Sequence, residues 1–346
     1  MAKSFGVHSG LNSLNFAQFQ FTISPIERLR LPAFKGSTLR GGFGTAFKQM
    51  VCLLRKESCV NCILKEKCAY CQIFESPRCD AAGIERKASH DPHPFVIEAP
   101  LEARQRYLPG ERVCFNLILV GKGADYFPYF ILAFEELGRI GIGLGKGNFQ
   151  LMKVENLSDV TGAQGEVMYD NESQTVRTKY RVTSFSDVLE QSRHLNPYAV
   201  TLHFLTPTRI KQRGDLIAEM DFETFMRNLL RRLSWLSELY CGQKWDLDYA
   251  ALLEQARNGV HTKNAELRWY DWERYSSRQN KKLKMGGFVG NITYEGEMRD
   301  FLPFVKMGEY LHIGQGTTFG LGKYIMEISG SQLHSSKGDK NLCPRR

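Results

Sequence analysis

The sequence predicts an α+β protein built from two halves of similar plan, with a small cysteine-rich insertion in the first half. Strand-like alternation of apolar residues recurs between helical stretches, and two glycine-rich segments resemble each other. Six of the nine cysteines lie between Cys52 and Cys79. With 346 residues the chain is long enough for two domains, each with its own core.

The first half begins with an alternating strand in residues 17–24, and a helix then runs toward Cys52 from a turn marked by Pro32 and Gly36. After the cysteine-rich segment, the pattern predicts three further elements. They are a strand in residues 111–121, a helix in residues 125–141, and a glycine turn followed by a strand in residues 141–155.

The second half repeats this order, with a strand in residues 200–211, an amphipathic helix in 221–241, a strand in 286–297, a short helix in 301–314 and a closing glycine turn and strand in 314–328. Each half therefore approximates the β-α-β-β-α-β unit of ferredoxin-like, or RRM-like, domains. We expect a first domain at residues 1–165 with a metal-binding insertion at 52–95. A second domain is expected at 175–330, followed by a disordered basic tail at 331–346.

The glycine-rich segments GRIGIGLGKGNFQL and HIGQGTTFGLGKYIM each follow a predicted helix and carry a lysine, Lys146 and Lys323. Glycines allow backbone amides to converge on an anion, although a tight connection between helix and strand would need them too. Neither segment fits the phosphate loop of nucleotide hydrolases. A third such segment, KGSTLRGGFG, and the basic composition favour contact with an RNA backbone.

Basic residues exceed acidic ones by 46 to 37, which gives a net charge of +9. This excess suits a polyanion, although a merely basic surface would show it as well. From Arg274 to Tyr294 the chain has five basic residues and no acidic one, and Trp269, Tyr270, Trp272 and Tyr275 crowd the front of this segment. Cations interleaved with aromatic rings are typical of single-stranded RNA binding.

The cysteine cluster contains the pairs CVNC and CAYC, whose spacing suits one tetrahedral metal ion. We expect a structural zinc rather than an iron–sulfur cluster, with the four ligands drawn from Cys52, Cys59, Cys62, Cys68 and Cys71. No apolar run approaches the roughly 20 residues of a membrane span, and the first residues lack a signal peptide. These features predict a cytoplasmic protein without a membrane partner, in which disulfides are the weaker explanation for the cysteines.

Several motifs resemble the CRISPR-associated repeat endoribonucleases of the RAMP superfamily, in the variant with a cysteine knuckle. They are KGSTLRGGFG, LGRIGIGLGKGNF, LTPTRIK, DWERYSSRQ, GGFVGNITYEG and above all HIGQGTTFGLGKY, and the resemblance covers roughly residues 17 to 328. The resemblance implies two tandem ferredoxin-like domains that bind the repeat of precursor CRISPR RNA, with other Cas effector subunits as further partners. It also implies a cut that needs no metal, in which the RNA 2′-hydroxyl attacks the adjacent phosphate and leaves a 2′,3′-cyclic phosphate.

Such a cut needs a base, an acid and cations, and the candidates are His312, Lys48 and Tyr275. His312 opens the last glycine motif, where it could instead cap the helix end by bonding the backbone. His203 alternates with apolar residues on a strand and is a weaker candidate. On the first helix, where the family often places a histidine, this chain has Thr45.

The candidates for RNA contact are basic residues of the glycine-rich turns, of the TPT turn and of the aromatic–basic segment: Lys35, Arg40, Lys146, Arg209, Lys211, Arg274, Arg278, Lys281, Lys282 and Lys323. The main alternative to an endoribonuclease is a repeat-binding RAMP subunit of an effector complex that cuts weakly or not at all. A backbone-type subunit with one RRM-like core, or a redox enzyme, fits the two-half pattern and the basic segment less well.

Overall fold

A computed structural model describes residues 10–54, 59, 61–75, 92–157, 165–212, 214–276 and 281–328. The chain divides into two compact units. The first unit comprises Asn15–Thr183 and the short segment Leu239–Gly242. The second contains Ser184–Glu238, residues 243–328 and residues 10–14.

In the first unit, four strands of a larger antiparallel sheet and two helices follow the order β-α-β-β-α-β. The elements are β1 (Asn15–Pro25), β2 (Leu29–Arg30), α1 (Gly36–Val51), α2 (Ala69–Phe74), β3 (Phe95–Glu98), β4 (Arg106–Tyr107), β5 (Val113–Val120), α3 (Phe127–Ile140), β6 (Phe149–Leu157), β7 (Glu166–Asp170) and β8 (Thr175–Val176). The sheet has the order β3-β5-β1-β6-β7-β8, and β2 pairs with β4 as a separate small ladder. If β1, β3, β5 and β6 are counted one to four, their spatial order is 4-1-3-2.

Aromatic side chains fill the core between this sheet and its helices. Phe43 of α1 is fully buried and stacks on Phe130 and Phe134 of α3, with ring centroids 4.6 and 5.2 Å apart. Phe134 in turn lies 5.1 Å from Phe21 of the central strand β1. These contacts connect both helices to the sheet, because each aromatic ring buries a large apolar area.

The second unit has the same plan. Its elements are α4 (Phe185–Ser192), β10 (Ala199–Thr208), β11 (Lys211–Gln212), β12 (Asp215–Leu216), α5 (Phe222–Tyr240), α6 (Tyr249–Gly259), β13 (Val260–Tyr270), β14 (Glu273–Ser276), β15 (Lys281–Lys284), β16 (Gly287–Gly296), α7 (Leu302–Leu311) and β17 (Tyr324–Ile328), while β9 (Thr183–Ser184) lies at the boundary of the units. The sheet order β13-β16-β10-β17 is again 4-1-3-2 when these strands are counted along the chain, and every pairing is antiparallel.

The helices and most of the strands predicted from the sequence lie where the patterns indicated. The predictions did not include β3, which lies within the proline-rich stretch of residues 91–100. They also missed β13, whose residues are almost all exposed and therefore lack apolar alternation. The sequence predicted domains at 1–165 and 175–330, whereas the first compact unit continues through β7 and β8 to Thr183. The predicted tail at 331–346 lies outside the described residues.

Among the helices that the structure describes, none combines the length and apolar character needed to cross a membrane.

Replacing Phe43 with alanine should lower the free energy of unfolding by about 3–5 kcal/mol, because it leaves a cavity between α1 and α3. Leu132→Ala on α3 is the control, since Leu132 is 49% exposed and its truncation should cost less than about 1 kcal/mol. Denaturant titration of both variants measures the difference. Equal losses would contradict the core position assigned to Phe43.

Candidate nucleic-acid interface

The glycine loop of the second unit joins α7 to β17 and carries the most specific motif of the sequence. Four of its glycines have a left-handed backbone, with φ between 73° and 80°: Gly314, Gly316, Gly320 and Gly322. A Cβ atom at Gly314 would lie 2.5 Å from the carbonyl oxygen of Arg209, and one at Gly322 would lie 1.8 Å from that of Ile313. Glycine is therefore required at both positions.

Backbone hydrogen bonds hold this loop against the end of β10. The Gln315 amide donates to the Arg209 carbonyl at 2.9 Å, and the Gly322 amide donates to the Pro207 carbonyl at 3.1 Å. The Ile313 amide donates to the Gly322 carbonyl at 3.0 Å. Since these three amides bond the protein's own carbonyls, they do not form an open cradle for an anion.

The glycine loop of the first unit, residues 141–147, is built in the same way. The Leu144 amide donates to the Arg30 carbonyl at 2.9 Å, and the Ile142 amide donates to the Gly147 carbonyl at 3.0 Å. A Cβ atom at Gly143 would lie 2.3 Å from the Arg30 carbonyl oxygen. The two sequence segments that resemble each other thus form equivalent loops, each docked on an arginine that follows the first strand of its unit.

His312 ends α7 and is fully buried, with a φ of 61°. Its Nδ1 lies 3.0 Å from the Leu321 carbonyl oxygen, and its amide donates to the Gly308 carbonyl at 2.8 Å. This is the helix-end arrangement that the sequence left open as the alternative to catalysis. An imidazole in this place reaches RNA only if the glycine loop opens.

Arg232 of α5 supports the same helix end and was not singled out from the sequence. Its side chain is buried, and its guanidinium donates to the carbonyls of Leu311, at 3.0 and 2.9 Å, and His312, at 3.1 Å. These carbonyls have no partner within α7, so Arg232 stabilises the point where the glycine loop begins. The only sequence signal is a charged residue close to the apolar stripe of an amphipathic helix.

His203 lies on β10, on the face opposite buried Leu202 and Phe204, as the alternation predicted. Its Nδ1 lies 2.8 Å from the Asn291 side-chain oxygen, and its Nε2 lies 2.7 Å from a carboxylate oxygen of Glu327. The imidazole therefore connects three strands on the outer face of the sheet.

The aromatic–basic segment forms a β-arm, which we define as β14 and β15. These strands leave β13 and return to β16, and they pair antiparallel, with Arg274 opposite Leu283 and Tyr275 opposite Lys282. Lys281 lies opposite Ser276, while Arg278 lies outside the described residues. At the base of the arm, Trp269 and Tyr270 are 40% and 38% exposed. Strand pairing thus places four of the predicted RNA-contacting or catalytic residues on one ladder.

Three further predicted cations follow the strands of the second unit. Lys211 on β11 is exposed, and Lys323 is half-buried where the glycine loop enters β17. Arg209 donates from its guanidinium to the Gly286 carbonyl, and burial lowers its pKa from the ordinary value. Lys211 is therefore the most accessible of the three. Arg209 instead holds Gly286, which lies between β15 and β16 where the chain leaves the β-arm.

In the first unit, Lys35 is fully buried and its ammonium is held by the protein. Its Nζ donates to the carbonyls of Glu102 at 2.5 Å and Ala33 at 3.3 Å, and burial lowers its pKa. This placement indicates a structural contact between the start of α1 and the segment before β4. The predicted contact of Lys35 with RNA stays a prediction.

The other predicted residues of the first unit are more accessible. Arg40 lies over the ring of Phe74 at 4.9 Å, and half-buried Lys48 lies over Tyr70 at 5.4 Å. Exposed Thr45 donates from its hydroxyl to the Gly41 carbonyl of the same helix at 3.1 Å. Lys146 is exposed on the glycine loop with a φ of 51°.

The cysteines of the insertion lie close together around α2. The thiol of Cys71 is hydrogen-bonded to those of Cys59 and Cys68, and burial together with these neighbours raises the pKa of the Cys71 thiol to about 12. Burial also raises the pKa of Cys59, which interacts electrostatically with Lys48 and Cys52. Within the described part of the chain, no three His, Cys, Asp or Glu residues are arranged as a ready metal site. Cys79 lies outside that part.

The predicted catalytic residues belong to both units. Lys48 lies beside the cysteine insertion in the first unit, whereas His312 and Tyr275 belong to the second. Within the second unit, His312 lies beneath the glycine loop and Tyr275 on the β-arm. The second unit thus combines a buried histidine, a rigid loop and a basic ladder.

The protein is an α+β protein with two antiparallel units of the same strand order, and a docked glycine loop closes each unit. Two family models match the chain: that of the CRISPR-associated endoribonuclease Cas6 matches residues 202–324, and one described as an N-terminal domain matches residues 14–180. The part of the chain that contains β10, the β-arm and the glycine loop of the second unit is therefore similar to the Cas6 endoribonuclease family.

Solved Cas6 structures share the fold. A partial Cas6-RT-Cas1–Cas2 complex has a TM-score of 0.59 and 15% identity over 93% of this chain, and the chain spans 47% of the length of that protein. A Cas6 product complex has a TM-score of 0.54 and 16% identity, over 90% of this chain and 100% of that one. An uncharacterized protein of Archaeoglobus fulgidus is 28% identical over 297 residues, which cover 84% of this chain and 91% of that protein.

Replacing Arg232 with methionine should lower the free energy of unfolding by about 2–4 kcal/mol, because the buried carbonyls of α7 lose their donor. Arg227→Met on the same helix is the matched control. Arg227 is 51% exposed and pairs with Glu223 at the surface, so its loss should be within about 1 kcal/mol. Urea unfolding measures both, and similar values would show that Arg232 does not hold the helix end.

Proposed function

We propose that this chain binds the repeat of precursor CRISPR RNA and cleaves the RNA within that repeat. The observation that carries the proposal is the Cas6 family match over residues 202–324, which contain β10, the β-arm and the glycine loop. The resemblance of sequence motifs in both halves points the same way. We also propose that the two units act as tandem ferredoxin-like domains, since both have the strand order 4-1-3-2.

The proposed reaction requires no metal. The 2′-hydroxyl of the RNA attacks the adjacent phosphorus, the 5′-oxygen of the next nucleotide leaves, and a 2′,3′-cyclic phosphate and a 5′-hydroxyl remain. A base must take the proton of the 2′-hydroxyl, and an acid must protonate the leaving oxygen. Cations stabilise the extra negative charge on the phosphorane.

We assign the acid to Tyr275, following the sequence prediction, and the charge stabilisation by Lys48 stays a prediction from the sequence. Tyr275 supports this because β14 also carries Arg274 and pairs with the strand that contains Lys281 and Lys282, all predicted to bind RNA phosphates. His312 acts as the base only in a state in which the loop has moved away from it. Its place in the closed loop favours a supporting role.

A second function, repeat binding without efficient cutting, is favoured by two observations. Thr45 is exposed on α1 where a histidine would serve catalysis, and its hydroxyl donates to its own helix. His312 is buried. In this function the chain would hold the repeat end as a subunit of an effector complex, together with other Cas proteins in the cytoplasm.

We further propose that the cysteine insertion binds one structural zinc ion. The close thiols of Cys59, Cys68 and Cys71, with Cys52 beside them, are the donor set that zinc prefers. Burial raises the pKa of the Cys59 and Cys71 thiols, and a bound cation would hold both as thiolates. The ion would crosslink the insertion and has no part in the RNA cut.

Cleavage is tested by incubating the purified protein with the repeat RNA of its own locus in excess EDTA. We expect a cut that leaves a 2′,3′-cyclic phosphate, and no cut in an RNA with a single 2′-deoxy nucleotide at the scissile position, because that RNA lacks the nucleophile. Mass spectrometry of the products identifies the ends.

Tight binding of both RNAs without cleavage would reject the endoribonuclease and support the repeat-holding subunit. If cleavage occurs, Tyr275→Phe should slow single-turnover cleavage by about 10²–10⁴-fold with little change in RNA affinity. Cleavage at the wild-type rate would remove Tyr275 from the role of acid.

The zinc proposal predicts about one zinc per chain by elemental analysis, and Cys71→Ser should remove it and lower the melting temperature. Cys241→Ser is the control, because Cys241 lies after α5, apart from the insertion in sequence, and the variant should keep its zinc. A wild-type protein purified without chelator that contains no zinc would contradict the proposal, as would zinc retained by Cys71→Ser.

A further inference from the structure

A second basic surface lies on the first unit, around the small ladder of β2 and β4. We call it the arginine patch and define it as Arg28, Arg30, Arg106 and Lys146, all of which are exposed. Only Lys146 was singled out from the sequence. Arg30 pairs directly with Arg106 across the ladder, and their neighbours Leu29 and Tyr107 pair with each other and are buried. Because successive residues of a strand point to opposite faces, both arginines lie on the outer face.

Two like charges opposite each other on a ladder repel, since their Cβ atoms are only about 5 Å apart. Among the ion pairs of the described residues, none involves a member of the patch. Two acids near the ladder, Glu102 and Glu111, are engaged elsewhere. Glu111 pairs with Arg104 and accepts from the Leu108 amide at 2.7 Å, and Glu102 accepts from the Tyr107 hydroxyl at 2.6 Å. Within the described part of the chain, no ion pair therefore neutralises the arginine patch.

The patch is rigid, because the first glycine loop is attached to the strand that carries the arginines. The Leu144 amide bonds the Arg30 carbonyl at 2.9 Å, and a Cβ atom at Gly147 would lie 2.8 Å from the Arg28 carbonyl oxygen. Lys146 is therefore held beside Arg28 and Arg30 by backbone contacts. A preorganised cluster of cations loses little conformational freedom when it binds an anion.

Lys146 has a backbone conformation that favours glycine. Its φ is 51°, and it lies next to Gly145 and Gly147 in a loop where glycine would be relaxed. A non-glycine residue held in such a conformation is a sign of function, and here the side chain contributes a positive charge at the surface.

We propose that the arginine patch binds the phosphate backbone of RNA, as a site separate from the β-arm. Guanidinium groups suit phosphate because their planar donors bond two oxygens at once. The aromatic residue of this ladder, Tyr107, is buried beneath the patch, so the contact reads charge rather than bases. The inference rests on the proposed function, since it takes RNA as the ligand, and it adds a second, sequence-independent contact to it.

The test is the salt dependence of RNA binding, measured by fluorescence anisotropy with the repeat RNA and with an unrelated single strand of equal length. The double variant Arg30→Gln with Arg106→Gln should weaken binding of both RNAs by about 10–100-fold at low salt. The slope of log K against log salt should fall by about 1.4, which corresponds to two lost phosphate contacts on a single strand.

The control is the double variant Arg177→Gln with Arg181→Gln. It removes the same charge from the same unit at exposed positions outside the patch, and Arg177 already pairs with Glu166 at 3.8 Å. Binding by the patch variant that equals binding by this control would overturn the inference and leave the proposed function standing. A wild-type protein that binds neither RNA would instead reject the proposed function.

Lys146→Gly decides the question if the arginine variant is unstable. This change removes one charge and places glycine in a conformation that glycine prefers, so the melting temperature should be unchanged or higher. The RNA affinity should nevertheless fall by about 3–10-fold, with a salt slope smaller by about 0.7. An unchanged affinity in a stable Lys146→Gly variant would remove Lys146 from the patch and contradict the inference.

Discussion

The contact on which both units depend is the close approach of a glycine to the carbonyl of an arginine. Gly143 lies against Arg30 in the first unit and Gly314 against Arg209 in the second, and in both places a Cβ atom would overlap the carbonyl oxygen. The following residue donates its amide to the same carbonyl at 2.9 Å. The helix and the strand that flank each loop, α3 and β6 in one unit and α7 and β17 in the other, are thereby fixed to the residues that follow β1 or β10. The glycines provide close backbone packing, and the loops gain rigidity from them rather than flexibility.

One position of this shared arrangement differs between the units. The residue that ends the helix is Gly141 in the first unit and His312 in the second, and both have positive φ. Histidine is uncommon in this conformation, and here Arg232 and the Leu321 carbonyl hold the helix end and the ring in place. The histidine that the sequence favours for catalysis is therefore also the residue that supports the loop. Chemistry at His312 would require breaking contacts on which the fold of the second unit relies.

The cations divide into those that the protein uses internally and those that it leaves exposed. Lys35 and Arg232 donate to backbone carbonyls in buried places, and Arg209 donates to the carbonyl of Gly286. Lys211 and the arginine patch lack such internal partners among the described contacts and lie at the surface. Net charge counts all of these residues equally, although only exposed and unneutralised charge attracts a polyanion. This difference explains why only some of the cations behind the net charge of +9 form basic surfaces.

The sequence by itself determined most elements of each half and their order, with β3 and β13 missed, because apolar periodicity and glycine turns depend on residues that are near in the chain. It also revealed the internal repeat and the resemblance to a family, since the motif around His312 to Lys323 is contiguous. Only the tertiary structure decided which side chains are buried. Lys35 and His312 look accessible in the sequence, and Arg30 and Arg106 are 76 positions apart and have no visible relation until β2 pairs with β4. Burial and cross-strand pairing arise from contacts between distant segments, and for that reason no local pattern could reveal them.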